Sequence, residues 1–380
     1  MIDCDVHVQI GDTEDLLAFV DPLQRDWFRA QAQPLGLPGY PWVHPHSFFR
    51  QDLRHEPGRP PGSSVEEVRQ DVLDGLQADI AILNADDAIT LSLMASPYRA
   101  AELARAHNDW LRERWLDAES RCRGSVLCAA QDPAAAAAEI RRVAADQRFA
   151  HVLLVGGAER PYGEPRYLPI FEAATECGLP VAIHSGGEGL GLAAPPGGAG
   201  PPTFYIEWHT LGSAGSIMAH LLSLLVNGVL ERFPSLRVLL LEGGLAWLPG
   251  ILWRLDTNWR GLRSDTPWLT RKPSEVMQEQ VRFTTQPLEY TDGHDALLFE
   301  MLEAAGAPDI LCFASDYPHW DYDDPGFTLR RLPDAWREQV MHGNAASVYG
   351  TRLGLVSTET RAAAQRTASD SEKSPRESVQ

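Results

Sequence analysis

Short apolar runs recur along the chain between longer stretches whose apolar residues fall at helical spacing. The runs cover residues 2–8, 79–83, 124–128, 151–155, 180–184, 237–241, 281–284 and 310–314. Each is too short for a helix of its own and nearly continuous in apolar character. That pattern suits parallel strands covered on both faces. Helical periodicity over 65–77, 97–116, 133–146, 167–177, 213–231, 245–262 and 295–305 fills the intervals. Alternating β and α units predict an α/β fold, a distorted (β/α)8 TIM barrel. A doubly wound open sheet is the structural alternative, but no Gly-rich dinucleotide fingerprint follows any run.

Two insertions interrupt the pattern. Residues 11–64, after the first strand, are rich in Pro, Trp, Phe and His, and residues 185–212, after the fifth, are rich in Gly and Pro. Both leave the C-terminal ends of strands, where barrel enzymes build their sites. The barrel is expected to occupy 1–355, and the polar stretch 356–380 is expected to be a disordered tail.

Composition narrows the partners. The formal net charge of -19 argues against nucleic acid and against an anionic membrane. No signal-like segment opens the chain and no run reads as long enough to span a bilayer. The 5 cysteines are scattered and mostly flanked by apolar residues. They predict buried thiols in a reducing compartment, and so a cytoplasmic protein.

The chemistry gathers at strand ends. Asp5 and His7 are two residues apart on the first strand, so both side chains face one side. His184 ends the fifth strand and Asp316 follows the eighth. In a closed parallel barrel these ends open on one face, and four N/O donors there suit one divalent ion, Zn or Mn. Alone, each residue has a plainer reading: Asp316 could cap the turn before Pro318, and Glu242 could bond the amides of Gly243 and Gly244. Trp27, Trp42, Phe48, Phe49, Tyr205 and Trp208 could wall a pocket for a planar ligand or pack as a satellite core. Arg50 and Arg54 could receive a substrate carboxylate or make surface ion pairs. His44, His46 and His55 stand in the first insertion, where one could reach the pocket.

The segments Asp3-Cys-Asp-Val-His7, Val181-Ala-Ile-His184-Ser185, Gly228-Val-Leu-Glu-Arg-Phe-Pro-Ser-Leu-Arg237, Glu242-Gly-Gly-Leu-Ala-Trp-Leu-Pro249 and Ser315-Asp316-Tyr-Pro-His319 carry a resemblance. In their order and spacing the chain resembles the amidohydrolase superfamily, in its amidohydrolase-related branch with aminocarboxymuconate semialdehyde decarboxylase and the γ-resorcylate-type decarboxylases. The resemblance implies a metal at the barrel mouth held by Asp5, His7, His184 and Asp316. It also implies a homodimer, for which the apolar and aromatic stretch 247–259 offers a surface. The branch usually opens with His-x-His or Glu-x-His, and here Asp5 takes the first place. Members often bear a metal-binding lysine after the fourth strand, whereas Leu153-Leu154-Val155 offers none, which favours one metal.

At the sixth strand the decarboxylases place a catalytic histidine where this chain has Glu242. That departure favours hydrolysis of a small cyclic or aromatic substrate through a metal-activated water. Asp316 would act as the proton-transfer group, with Glu242 or His209 holding or protonating the substrate. His319, Trp208, Tyr205 and Arg50 are the expected substrate contacts. The alternative is non-oxidative decarboxylation of an aromatic or enoic acid at the same site, and a third reading is a non-catalytic ligand-binding barrel.

Overall fold

A computed structural model describes residues 1–30, 48–53, 55, 57–189, 193 and 202–354. Eight strands pair in chain order, every pair parallel: Ile2–Val8 (β1), Ile80–Ala85 (β2), Cys122–Leu127 (β3), Phe149–Val155 (β4), Val181–His184 (β5), Val238–Leu241 (β6), Val281–Thr284 (β7) and Leu311–Cys312 (β8). The expected (β/α)8 barrel is the fold. Its strands are buried on both faces; β4, for example, is buried at all 7 positions, His151 included. Continuous apolar runs were the right signature for such strands.

The eighth strand is shorter than the expected 310–314. Phe313 N–H donates to Val340 O at 3.0 Å and so leaves the β7–β8 ladder. The ring closes just beyond it, where three backbone bonds stitch this segment to β1. Cys4 N–H donates to Phe313 O at 3.0 Å, Asp316 N–H to Asp5 O at 3.1 Å, and His7 N–H to Tyr317 O at 2.7 Å. The closing seam therefore fixes the backbones of Asp5, His7 and Asp316 relative to one another.

Local chemistry sets the ends of the helix after β3. Asp132 caps the helix Pro133–Val143, its carboxylate accepting from Ala134 and Ala135 N–H; Pro133 starts the helix, and Arg141 and Arg142 sit in its last turn. The helix expected over 213–231 begins earlier, as Tyr205–Val226, and resumes as Val229–Arg232 after Gly228, whose φ of 73° is left-handed. Trp208 and His209 therefore lie on a helix rather than in a loop. This 22-residue helix is long and apolar enough to cross a membrane by length and composition, which corrects the expectation that no run is. It is the barrel helix after β5, and Ile217, Leu221, Leu224 and Leu225 join the core.

The first insertion contains two helices the pattern did not predict, Thr13–Leu17 and Pro22–Arg29, capped by Asp12 and Asp21. Trp27 packs there, with Arg99 3.7 Å above its ring, and takes no part in a pocket wall. All five cysteines are free, and all but Cys177 are buried. The barrel elements run from Ile2 to Leu353. The stretch 356–380, together with Trp42, His44, His46 and Arg54, lies outside the described residues.

Candidate active site

β1 alternates, so Cys4 and Val6 face away from Asp5 and His7, which are 1% and 0% exposed at the mouth of the barrel. His184 is the last residue of β5, and Asp316 stands four residues beyond β8. Ligand atoms of Asp5, His7, His184 and Asp316 all lie within 4.8 Å of one another. His7 Nε2 is 3.1 Å from His184 Nε2, 3.1 Å from Asp316 Oδ1 and 3.4 Å from Asp5 Oδ1. His184 Nε2 is 3.3 Å from Asp5 Oδ2.

These residues fit a divalent ion on their own geometry. The Oδ2 atoms of Asp5 and Asp316 are buried with no hydrogen-bond partner, a costly state for carboxylates unless a cation sits among them. His184 Nδ1 donates to Ser185 O, which leaves the Nε2 lone pair turned to the cluster. Behind Asp5 runs a buried chain: Asn84 Nδ2 donates to Asp5 Oδ1 at 2.8 Å, Asn84 Oδ1 meets His151 Nε2 at 2.9 Å, and His151 Nδ1 meets Tyr349 Oη at 3.1 Å. Two nitrogens and two carboxylates suit manganese or zinc.

Glu242 immediately follows β6 and lies 3.7 Å from His184 Nε2. Its φ is 53° and that of Asp316 is 61°, left-handed values rare for such side chains. Strained backbone at two strand ends facing one cluster is characteristic of functional sites. His319 Nδ1 is 2.7 Å from Asp316 Oδ1 and 3.6 Å from Glu242 Oε1. His7, Glu242, Asp316 and His319 form a second group of donors that shares two members with the first.

The electrostatics favour a positive charge at the centre. Burial holds His7 down to about 4. For His184 burial acts the same way, but Glu242 and Asp5 outweigh it and lift the imidazole to about 10. Burial and the neighbouring Glu242 push the Asp316 carboxyl well up. His319 is raised against its own burial by Asp316 and Asp86. Carboxylates that hold a proton on a buried imidazole can hold a metal ion there instead, releasing that proton.

The cluster opens into a cavity. Phe48, Tyr205, Trp208, His209 and Trp320 give it aromatic walls, and Asp86, Glu242, Gln286 and Asp321 are among the other residues that line it. Tyr205 stacks on His209 with ring centroids 5.5 Å apart, and His209 Nε2 pairs with Asp321 Oδ2 at 3.3 Å. The loop after β5 is held close to that after β4: Gly157 N–H donates to Gly186 O at 2.7 Å, and a Cβ on Gly157 would lie 2.4 Å from Gly187 C.

Of the residues singled out in the sequence, Asp5, His7, His184, Asp316, Glu242 and His319 meet at the barrel mouth, and Tyr205, Trp208 and His209 line the cavity beside it. Arg50 does not reach it: its guanidinium pairs side-on with Asp52 and lies 4.5 Å over Tyr322. Its sequence gives it an acid two residues on, which claims it locally. His55 pairs with Asp71 at 2.8 Å, away from the cavity lining. Phe49 stacks on His319 at 6.1 Å. Asn84, Asp86, Gln286 and Asp321 were missed. Asp86 directly follows β2, so the strand-end rule that selected His184 also selects it. Gln286 and Asp321 sit in loops and carry no sequence signal.

A closed parallel barrel with four N/O donors at its C-terminal mouth is the arrangement of a metal-dependent barrel enzyme. A family model described as amidohydrolase matches residues 2–351, and the chain belongs to that family. The chain is 24% identical over 307 residues to γ-resorcylate decarboxylase of Rhodococcus jostii, covering 75% of this chain and 87% of that one. Among solved structures it is similar to a dihydroxybenzoic acid decarboxylase from Polaromonas sp. with bound manganese and the inhibitor 2-nitroresorcinol. That match has a TM-score of 0.62 and 19% identity over 92% of this chain and 96% of the other. It is also similar to an amidohydrolase from Mycobacterium avium subsp. paratuberculosis, with a TM-score of 0.69 and 19% identity over 93% and 98%. At these identities the structures speak to the fold.

Proposed function

We propose that the protein is a metal-dependent carboxy-lyase that removes CO2 from an aromatic acid without oxidation. The similarity to γ-resorcylate decarboxylase over 75% of the chain supports this above the hydrolytic reading that Glu242 alone favours. The observation that carries the proposal is His319 Nδ1 at 2.7 Å from Asp316 Oδ1. The sixth strand lacks the histidine its decarboxylase relatives are expected to have, yet an imidazole reaches the same mouth from the loop after β8.

A divalent ion held by Asp5, His7, His184 and Asp316, with manganese the leading candidate, supplies positive charge for the substrate carboxylate. The side chains do the rest. Tyr205, Trp208 and Trp320 hold a planar ring and exclude water from it. The bond between the ring carbon and the carboxylate breaks, CO2 leaves, and the bonding pair stays on the ring carbon. The His319–Asp316 pair delivers a proton to that carbon and regains one from solvent. Glu242, held low against its burial by His184 and His319, accepts a hydrogen bond from a ring hydroxyl.

A second reading, hydrolysis with Glu242 as general base, rests on its position 3.7 Å from His184. Manganese-loaded protein incubated with hydroxybenzoic acids, and separately with cyclic amides and lactones, decides between them. Release of CO2 with solvent deuterium entering the vacated ring position supports decarboxylation. Ring opening of an amide or lactone, with every acid untouched, overturns it.

A further inference from the structure

The loop after β5 carries a buried carboxylate that takes no part in the proposed chemistry. Glu188 is 2% exposed, and among the described residues its carboxylate meets only neutral donors. Both oxygens accept from Gly186 N–H, at 2.8 and 2.9 Å, and Oε1 also accepts from Ser216 Oγ at 2.8 Å. Gly156, immediately beyond β4, makes the room: a Cβ there would lie 2.6 Å from Glu188 Oε1. A carboxylate taken out of water without a cation costs stability, so its presence here points to a role in the site.

What the carboxylate holds bears directly on the metal cluster. Gly186 adjoins Ser185, whose carbonyl accepts from His184 Nδ1 and so turns Nε2 to the cluster. Ser185 Oγ donates to Glu242 Oε2. The Glu188 carbonyl accepts from Trp208 Nε1, on the aromatic wall, at 3.3 Å. Gly186, Gly187 and Gly189 have φ of 141°, 75° and 77°, so the loop's own backbone resists little. The side chain anchored on Ser216, in the helix Tyr205–Val226, supplies the rigidity instead.

We infer that Glu188 is a positioning residue that sets the aim of His184 and Glu242 through the backbone of Ser185 and Gly186. It touches neither metal nor substrate. Its reach matters rather than its charge, because Gly186 N–H needs only an acceptor oxygen at that place. The inference rests on the metal site and holds for decarboxylation and hydrolysis alike.

The test is the manganese affinity of the full-length protein, by competition against a chelator, in Glu188→Gln and Glu188→Asp. Melting temperatures of the metal-free proteins are recorded beside it. Glutamine keeps the reach and an oxygen for Gly186 N–H, and its amide donates to Ser216 Oγ. Its affinity should stay within about threefold of the unmodified protein. Aspartate keeps the charge but is a methylene shorter, and affinity should fall by about 10–100-fold, the usual weight of a group that orients a ligand. Glu188→Met keeps the volume and removes both acceptors, and takes the place of the aspartate variant with the same expectation should that one not fold. Glutamine equal to or weaker than aspartate overturns the inference, since charge would then be what counts. Unchanged affinity in the aspartate or methionine variant overturns it too, even with a lowered melting temperature, because that marks a structural role alone. No manganese uptake by the unmodified protein removes the inference together with the site. The expected order of affinities with no CO2 from any acid sustains it and removes the decarboxylase reading instead.

Discussion

His7 Nε2 and His184 Nε2 face each other across 3.1 Å, one from the strand that opens the barrel and one from the strand opposite. With His184 Nδ1 committed to Ser185 O, its Nε2 turns to a point that His7, Asp5 and Asp316 also border. His184→Ala is therefore expected to reduce bound manganese or zinc to under about a tenth of an equivalent, since one of four ligands is lost. The far-ultraviolet circular dichroism should be preserved, because the β5 backbone pairs independently of the side chain. Elemental mass spectrometry on protein purified without chelator makes the check. Full metal occupancy in the variant would place the ion elsewhere.

Asp5 is one of two aspartates in the four-residue set, and its aim depends on Asn84. The Asn84 amide holds Asp5 Oδ1 and is itself set by His151 and Tyr349. Groups that orient a ligand without touching the metal typically matter 10–100-fold in affinity. Asn84→Ala should weaken manganese binding by about that factor in a competition titration against a chelator. Affinity within about twofold of the unmodified protein would show that Asp5 needs no such support.

The barrel was legible because its strands are buried on both faces, so apolar continuity located all eight within a few residues. The four candidate ligands followed from the alternation of the first strand, from two strand ends and from the family resemblance. What stayed hidden depended on three-dimensional neighbours. Nothing in Asn84 or His151 as residue types says that they meet behind Asp5, and Gln286 and Asp321 reach the cavity from loops with no period to read. Arg50 misled because its partner Asp52 is two residues away, a local pairing that competes with any ligand. His209 and Trp208 were assigned to a loop because the Gly- and Pro-rich insertion masks the helical spacing that begins at Tyr205.

On the decarboxylase proposal, His319 delivers the proton while Asp5, His7, His184 and Asp316 hold the metal. It bonds Asp316 but stands outside the four-ligand set centred on Asp5 and His184. On the decarboxylase proposal, His319→Asn should lower kcat for CO2 release by about 10²–10⁴, the usual contribution of a positioned acid. Metal content should stay near that of the unmodified protein. A parallel loss of metal would make His319 a ligand, and unchanged kcat would pass the proton to another group. Measuring both in one preparation distinguishes the three.

Stability should depend on pH through imidazoles that never meet the substrate. Burial holds His107 and His151 down to about 3 and His220 down to about 4. In the unfolded chain each titrates near about 6.5. The folded value is the lower one, so below about pH 6.5 the unfolded state takes up protons that the folded state refuses. Stability is complete above that pH and falls as pH drops toward 3–4, by about 1.4 kcal/mol per pH unit for each imidazole. With chelator present throughout so that metal loss adds nothing, these three imidazoles pull the melting temperature down from pH 7 to pH 4.5, while Asp3 and Asp323, whose burial lifts their carboxyls to about 7, pull it the other way. His107 offers the cleanest control, because burial alone sets its value and its Nδ1 has no partner. His107→Leu should therefore lessen the loss of stability below about pH 6.5 by about 1.4 kcal/mol per pH unit, the share of one imidazole. A His107→Leu profile parallel to that of the unmodified protein would mean that His107 reaches water before the chain unfolds.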